Sequence, residues 1–368
     1  MNCVGSGSYQ VDDVLFLMKE IQMPTIEIRE KERLIQSGKR HYSEMISQEQ
    51  PPSSAYLRLF HEACRHNNPR FCADLIRLAR HLAASVPTEI TLVSLARAGT
   101  PVGVLLKRIL ECYSRRSVKH YSISIIRDRG IDANALRHIL RTDRRDPAGV
   151  VFIDGWTGKG VIAAELTSWV TAFNEQEGCN LSTALHVVAD ISGTAAVAAT
   201  YEDYLIPSAI MNAIVSGLVS RSILNSDYIA PDDFHGCVCY REFEEIDLSR
   251  SFVDDVMAFV PGLWDQLAAG PSLLSDFTER DRLRGESLNF LAGISERFDV
   301  KDVNHIKPGI GEATRVLLRR VPHLILLRDE TEPEVAHLRL LAAEKNVAVE
   351  VDSSLPYNAV AVIAEVGE

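Results

Sequence analysis

The chain predicts an α/β fold: a parallel sheet flanked by helices, followed by a small αβα sandwich at the C-terminal end. Three observations lead there. Four apolar, β-branched runs alternate with amphipathic helical patterns between residues 88 and 224. Each run ends in a polar or glycine-bearing loop. After Leu224 the alternation stops, and a compact strand–helix pattern resumes only from residue 300.

Composition bounds the rest. With 368 residues, 46% apolar and 24% charged, the chain has room for two or three soluble domains. The expected divisions are an N-terminal extension or hood (1–50), a sheet domain (51–250), a helical linker (251–299) and the C-terminal unit (300–368). A formal net charge of −11 disfavours nucleic-acid binding through bulk electrostatics and leaves a local site open. Seven cysteines, an odd number, do not form a disulfide framework. No apolar stretch reaches the roughly 18–20 residues of a membrane span. The N-terminus shows no basic-then-apolar signal pattern, so a reduced cytoplasm is expected.

In chain order, Ser37-Gly38-Lys39-Arg40-His41-Tyr42-Ser43-Glu44 is either a solvated turn or a cover for an anionic or nucleobase-like ligand. Pro51-Pro52-Ser53-Ser54 breaks the chain and caps a helix over 55–66, and a second helix is expected over 69–84. Residues 88–95 read as a strand, then Ala96-Arg97-Ala98-Gly99-Thr100-Pro101 and a helix to 113. Backbone amides near Gly99 together with the Arg97 guanidinium would seat a pyrophosphate. The alternative is a surface arginine beside a Gly/Pro turn. Residues 120–126 form the third element, a strand running into Arg127-Asp128-Arg129-Gly130-Ile131-Asp132 and a helix to 140. That charged loop is either a salt-bridged turn or ligand-facing.

Residues 149–166, Gly-Val-Val-Phe-Ile-Asp-Gly-Trp-Thr-Gly-Lys-Gly-Val-Ile-Ala-Ala-Glu-Leu, carry most of the chemistry. A buried strand over 150–153 ends on Asp154, passes Gly155, Gly158 and Gly160, and continues as a helix to about 170. Strand, glycine turn and helix together leave backbone N–H groups facing an anion. Thr157 adds a hydroxyl, Lys159 a positive charge, and Asp154 a carboxylate for a divalent cation or ribose hydroxyls. These needs converge on a sugar phosphate. A P-loop is excluded because Gly160 follows Lys159, and a dinucleotide fingerprint because the glycines fall at 155, 158 and 160.

A further strand over 183–189 ends on Asp190, and a helix is expected over 208–224. Four strand-end loops in series place a ligand beyond the carboxyl ends of one sheet. That requires the Arg97 guanidinium and the turn after Asp154 to share a rim. Pro231 to Tyr240 holds His235, Cys237 and Cys239; without a second cluster at zinc spacing, zinc is disfavoured. Residues 251–297 read as linker helices. In the C-terminal unit, helices are expected from 308 to 320 and over 333–345, and strands over 324–327, 347–351 and 359–363. Its eight basic against eleven acidic side chains give no basic surface.

Ser37–Glu44, Leu95-Ala-Arg-Ala-Gly-Thr-Pro-Val102, His120–Asp132, Phe152–Gly160, and 209–221 with its Ser-Gly-Leu-Val-Ser-Arg run resemble a known group. It comprises the phosphoribosyltransferase-like proteins encoded with bacterial tellurium-resistance and stress gene clusters, also labelled cysteine protease StiP. Pro308-Gly-Ile-Gly-Glu-Ala-Thr314, Leu324–Asp329 and Asn346-Val-Ala-Val-Glu-Val351 are similar to the Pelota-type RNA-binding domain. The resemblance implies a phosphoribosyltransferase-like sheet and transfer of a 5-phosphoribosyl group from phosphoribosyl pyrophosphate, with Mg²⁺, to a base-like or small-molecule acceptor. It puts the 5′-phosphate on Thr157, Gly158, Lys159 and Gly160, and the ribose or metal on Asp154. Arg97, Ala98 and Gly99 would take the pyrophosphate, and the Arg127 and Arg129 loop would face the ligand. The group's loop carries two adjacent acids where this chain has one, and Asp190 is the candidate to supply the second.

The partners expected are a sugar-phosphate or nucleotide-like molecule and RNA through 300–368, with no membrane; a homo-oligomer is left open. Two other functions compete: a non-catalytic sugar-phosphate or nucleotide sensor coupled to RNA, and a cysteine hydrolase. The second ranks last because no cysteine lies in the strand-end loops.

Overall fold

The structure, a computed structural model, describes residues 4–269, 277–320 and 322–363. Its central sheet has six strands, β1 (Leu15–Phe16), β2 (Ile90–Leu95), β3 (Val118–Ile123), β4 (Val150–Thr157), β5 (Leu185–Asp190) and β6 (Val197–Thr200). They lie in the order β1-β3-β2-β4-β5-β6, all parallel. The pleat sorts the side chains. Leu92, Ile153 and Val188 face the helices α2 (Ser54–Ser85) and α3 (Gly99–Tyr113), α1 (Ile28–Gln36) having preceded them at the sheet's rim. Val93, Phe152 and Val187 face α4 (Val161–Glu177) and the short helix Ala133–Arg137.

Three departures from the expected elements have physical causes. Residues 54–85 form one helix with Pro69 inside it, capped by Ser53 Oγ accepting from the Tyr56 N–H at 3.2 Å. A proline inside a helix costs about 3 kcal/mol, and the fully buried Phe71, Cys72, Leu75 and Ile76 just beyond it outweigh that. The expected helix over 208–224 is absent. Two 3₁₀ turns (Pro207–Ile210 and Ala213–Val215) are followed by left-handed Gly217 and Leu218, and then by bridges from Val219 to Cys239 and from Ile223 to Gly236. Buried on every side, that segment shows apolar residues without helical facing. Residues 4–50 are woven into the sheet domain rather than appended. Leu15–Phe16 extends the sheet, and Lys19–Glu20 pairs in parallel with Gly236–Cys237.

The C-terminal unit has β7 (Ile306–Pro308), β8 (Leu324–Leu327), β9 (Ala348–Val351) and β10 (Ala359–Val362), in the order β7-β10-β8-β9. Of its helices α5 (Phe277–Arg297), α6 (Ile310–Arg319) and α7 (Ala336–Glu344), the last two cover one face through Ala313, Leu317 and Leu338. Leu291 and Ile294 of α5 cover the other, against Leu324, Leu326 and Val360. The helix expected in the linker is thus the second layer of the sandwich. The unit docks on the sheet domain, α7 against α2 and α6 against the 207–210 turn. Asp203 clasps the junction: its carboxylate accepts from the Ile310 N–H at 3.0 Å, capping α6, and from the Asn358 N–H at 2.8 Å. Among the described residues no helix is long and apolar enough to cross a membrane.

Candidate functional site

β4 outruns its neighbour β2, whose last pairing with it is Ser94 to Ile153, so residues 154–157 project beyond the sheet on that side. The loop after β2 packs directly against them. A Cβ at Gly99 would lie 2.6 Å from the Ile153 oxygen and 3.1 Å from Asp154 Cα, an approach only glycine permits. The two loops therefore share one rim, as a joint ligand site requires.

Their side chains are nevertheless committed to holding the rim together. The Arg97 side chain is 3% exposed and turns away: Nη1 donates to the Val219 oxygen at 2.7 Å, and Nη2 to Asn212 Oδ1 at 3.1 Å and to Glu49. Only its Nε is left without a partner, so most of the guanidinium is spent on the scaffold. Asp190 is fully buried and accepts from Thr157 Oγ1 at 2.5 Å, from the Ser192 N–H and Oγ at 3.1 Å each, and from the Ala195 N–H at 2.8 Å. Three of these bonds fall on Oδ1 and one on Oδ2, so the carboxylate organises two loops. Thr157, donating to it, has given up its own hydrogen. Lys159 donates to the Val303 and Ile306 oxygens at 2.6 and 3.0 Å, bridging to the C-terminal unit. Gly160, at φ +79°, fits only because it lacks a Cβ, which would lie 2.5 Å from Thr194 Cγ2. Ala98 and Gly99 lie in the rim's packing, and the exposed Arg129 pairs with Glu44 at 3.1 Å. Of the charged loop, Arg127 reaches the site: its N–H donates to Tyr42 Oη at 2.9 Å.

The open space lies between the rim and the C-terminal unit, a cavity of about 320 Å³. Its walls carry eight cationic side chains, Lys31, Arg127, Lys159, Arg221, Lys307, Arg315, Arg319 and Arg320, against three carboxylates, Glu32, Asp154 and Glu312. In a chain of net charge −11 that is a local reversal of sign. Arg315 pairs with Glu312 and Arg320 with Glu32. Arg221 and Arg319 donate to carbonyl or amide oxygens instead, and Arg221 Nη1 is buried without a partner. So is Trp156 Nε1, beneath an Arg315 guanidinium 5.0 Å from its ring centroid.

Burial and mutual repulsion destabilise these charges. Lys159 falls to about 7 through burial, then through Lys307. Lys31 falls to about 8 through burial, then through Arg221. Arg319 is held well below its ordinary value by burial, with Arg97 and Arg315 adding to it. Burial lifts Asp154 to about 6, against the pull of Arg315. An anion entering the cavity would relieve all of the cations at once. The donor set does not suit a resident Mg²⁺: among the described residues no three His, Cys, Asp or Glu side chains gather in metal-holding geometry. Asp154 and Glu312 stand among cations that repel a metal.

Sequence reasoning missed Lys31, Arg221, Lys307, Arg315, Arg319 and Arg320. The spacing of Arg315 and Arg319, one helical turn apart and in line with Glu312, was the available signal. The thiols lie elsewhere. Burial pushes Cys64 and Cys72 up to about 12, and a shared hydrogen bond and burial push Cys237 up. Cys239, accepting from Cys237, is pushed down, while His235 Nδ1 is 2.8 Å from Ser124 Oγ.

Residues 7–257 match a family described as tellurite-like stress resistance cysteine protease StiP, and residues 286–365 match the PELOTA RNA binding domain. A protein of Acinetobacter baylyi named cysteine protease StiP is 38% identical over 375 residues, covering 99% of this chain and 95% of its own length. Among solved structures, α-aminoadipate aminotransferase LysN of Thermus thermophilus is similar at 13% identity, over 83% of this chain and 77% of its own, with a TM-score of 0.21, too low to carry an argument. The family and the relative overturn the expected enzyme class, because both are named as a cysteine protease and neither as a phosphoribosyltransferase. By a match across most of its sheet domain and a relative aligned along nearly its whole length, the chain belongs to the StiP stress-resistance family, with a C-terminal unit of the Pelota type.

Proposed function

We propose that this protein is a sensor that holds a phosphorylated, sugar-phosphate- or nucleotide-like anion between its two units and passes that state to RNA through the C-terminal one. The observation that carries it is the convergence of eight cations on one cavity, half of them from each unit. Lys31, Arg127, Lys159 and Arg221 come from the sheet domain, and Lys307, Arg315, Arg319 and Arg320 from the C-terminal unit. A shared anion would therefore set how firmly the units dock. The RNA arm rests on the Pelota match. Any divalent ion would come with the ligand's phosphates. The test is calorimetry with phosphoribosyl pyrophosphate, with and without Mg²⁺, beside an assay for released pyrophosphate. Saturable binding with the donor left intact is expected, lost in Arg315→Ala/Arg319→Ala. No binding by the folded wild type sinks the proposal.

A second reading, a cysteine hydrolase, is favoured by the relative's name and by one observation. Cys239 is half-buried and its thiol is held below the ordinary value, first by the hydrogen bond from Cys237. A thiolate is the reactive form. Peptide hydrolysis lost in Cys239→Ser and kept in Cys112→Ser would establish it; hydrolysis untouched by Cys239→Ser removes it.

A further inference from the structure

Beside the cationic cavity lies a second chamber of about 240 Å³ that phosphate binding alone does not use. The two share Lys31, Arg221 and Arg319 in their walls. Past those cations the lining turns apolar and aromatic, with Ile210, Met211, Ile214, Tyr240 and Phe243. The rings of Tyr240 and Phe243 are stacked, with centroids 5.6 Å apart and planes at 28°.

Gln48, Glu49, Gln50, Ser53, Asn212, Glu344 and Lys345 also border the chamber, and within its lining two buried hydroxyls stand without a partner. Tyr240 is 2% exposed and its hydroxyl has no hydrogen-bond partner; Ser47 Oγ is likewise buried and unpartnered. Buried hydroxyls are rarely left so. An acyl chain would fill the apolar space and leave both orphaned. A heteroaromatic ring satisfies both demands, with apolar faces for the aromatic and aliphatic lining and nitrogen or oxygen atoms along its edge for the hydroxyls.

We propose that the ligand is a nucleoside phosphate, its phosphate among the cations and its base in the second chamber, with Tyr240 Oη and Ser47 Oγ hydrogen-bonded to the base edge. This rests on the phosphate-ligand reading above and names the ligand class. Lys31, Arg221 and Arg319 then stand at the joint of the ligand, where the sugar meets its phosphate. The same chemistry is offered by a free mononucleotide and by the 5′-phosphorylated end of an RNA strand.

The experiment is calorimetry on the full chain with ribose 5-phosphate, with AMP, GMP, CMP and UMP, and with 5′-phosphorylated RNA pentamers beginning with each base. At least one mononucleotide or pentamer is expected to bind about tenfold tighter than ribose 5-phosphate. That preference should collapse in Tyr240→Phe, which keeps the ring, and in Ser47→Trp, which fills the chamber, each first shown by thermal unfolding to be folded. A tight pentamer with weak mononucleotides assigns the site to an RNA end, and the converse to a free nucleotide. If ribose 5-phosphate binds as well as every nucleotide and pentamer, or if the preference survives in both variants, the base site is overturned and phosphate binding stands. If nothing binds, both fail together.

Discussion

The two walls of the cavity make opposite use of polar side chains. On the sheet side, Asp190 is spent on the Thr157 hydroxyl and on backbone N–H groups, Arg97 on a backbone oxygen, Glu49 and Asn212, and they fix where the loops sit. On the helix side, Arg315 and Arg319 project from α6 with only partial compensation, from Glu312 and from the Asn212 amide. Strand-end loops have many orphaned backbone groups to satisfy, so polar side chains there are drawn into the scaffold. A helix satisfies its own backbone and leaves its side chains available. The rim supplies shape and the docked helix supplies charge.

That contrast can be broken at its strongest point first. Asp190→Ala strips the Ser192 and Ala195 N–H groups of their acceptor and should destabilise the protein by about 3 kcal/mol in urea unfolding. A loss under about 1 kcal/mol would mean that the carboxylate is not structural. Arg319→Met should do the reverse, raising the thermal midpoint of the unliganded protein slightly while weakening pyrophosphate binding about 10- to 100-fold. If stability falls and binding persists, Arg319 belongs with the scaffold. Next comes pH. Lys159, lowered to about 7, is charged below that value and loses its proton above it; a bound anion favours the charged form and raises its pKa. Sulfate, a dianion throughout the range, should therefore weaken by up to about tenfold per unit as pH rises through 7, on top of the losses as Asp154 ionises near 6 and Lys31 discharges near 8. Lys159→Arg should flatten the slope, and an equally steep slope in that variant assigns it to another group. Smallest is Arg129→Ala: its exposed pair with Glu44 is worth about 0–1 kcal/mol, and neither stability nor anion affinity should move measurably.

The strands Ile90–Leu95, Val150–Thr157 and Leu185–Asp190 were legible because an apolar β-branched run bounded by turn residues has few other uses. Leu15–Phe16 and Val197–Thr200 were not, since two to four residues leave no period to read. The same limit misled at 208–224, where a segment enclosed by protein needs no polar face. The rim's location was readable from the glycines, above all Gly99, whose lack of a side chain lets two loops touch. The cations were not readable. Lys31 and Arg221 lie far apart in the chain, Arg315 joins them only through docking of the C-terminal unit, and a balance of eight basic to eleven acidic residues hides that four of the basic ones face inward.

Asp203 has a consequence for how such a chain can be taken apart. The helix that presents Arg315 and Arg319 borrows its N-terminal cap from a residue of the other unit, so the C-terminal unit is not self-sufficient. A chimera that grafts the C-terminal unit onto a different carrier leaves that carboxylate behind. The graft would inherit a frayed first turn and misaimed guanidinium groups unless a matching acid travels with it.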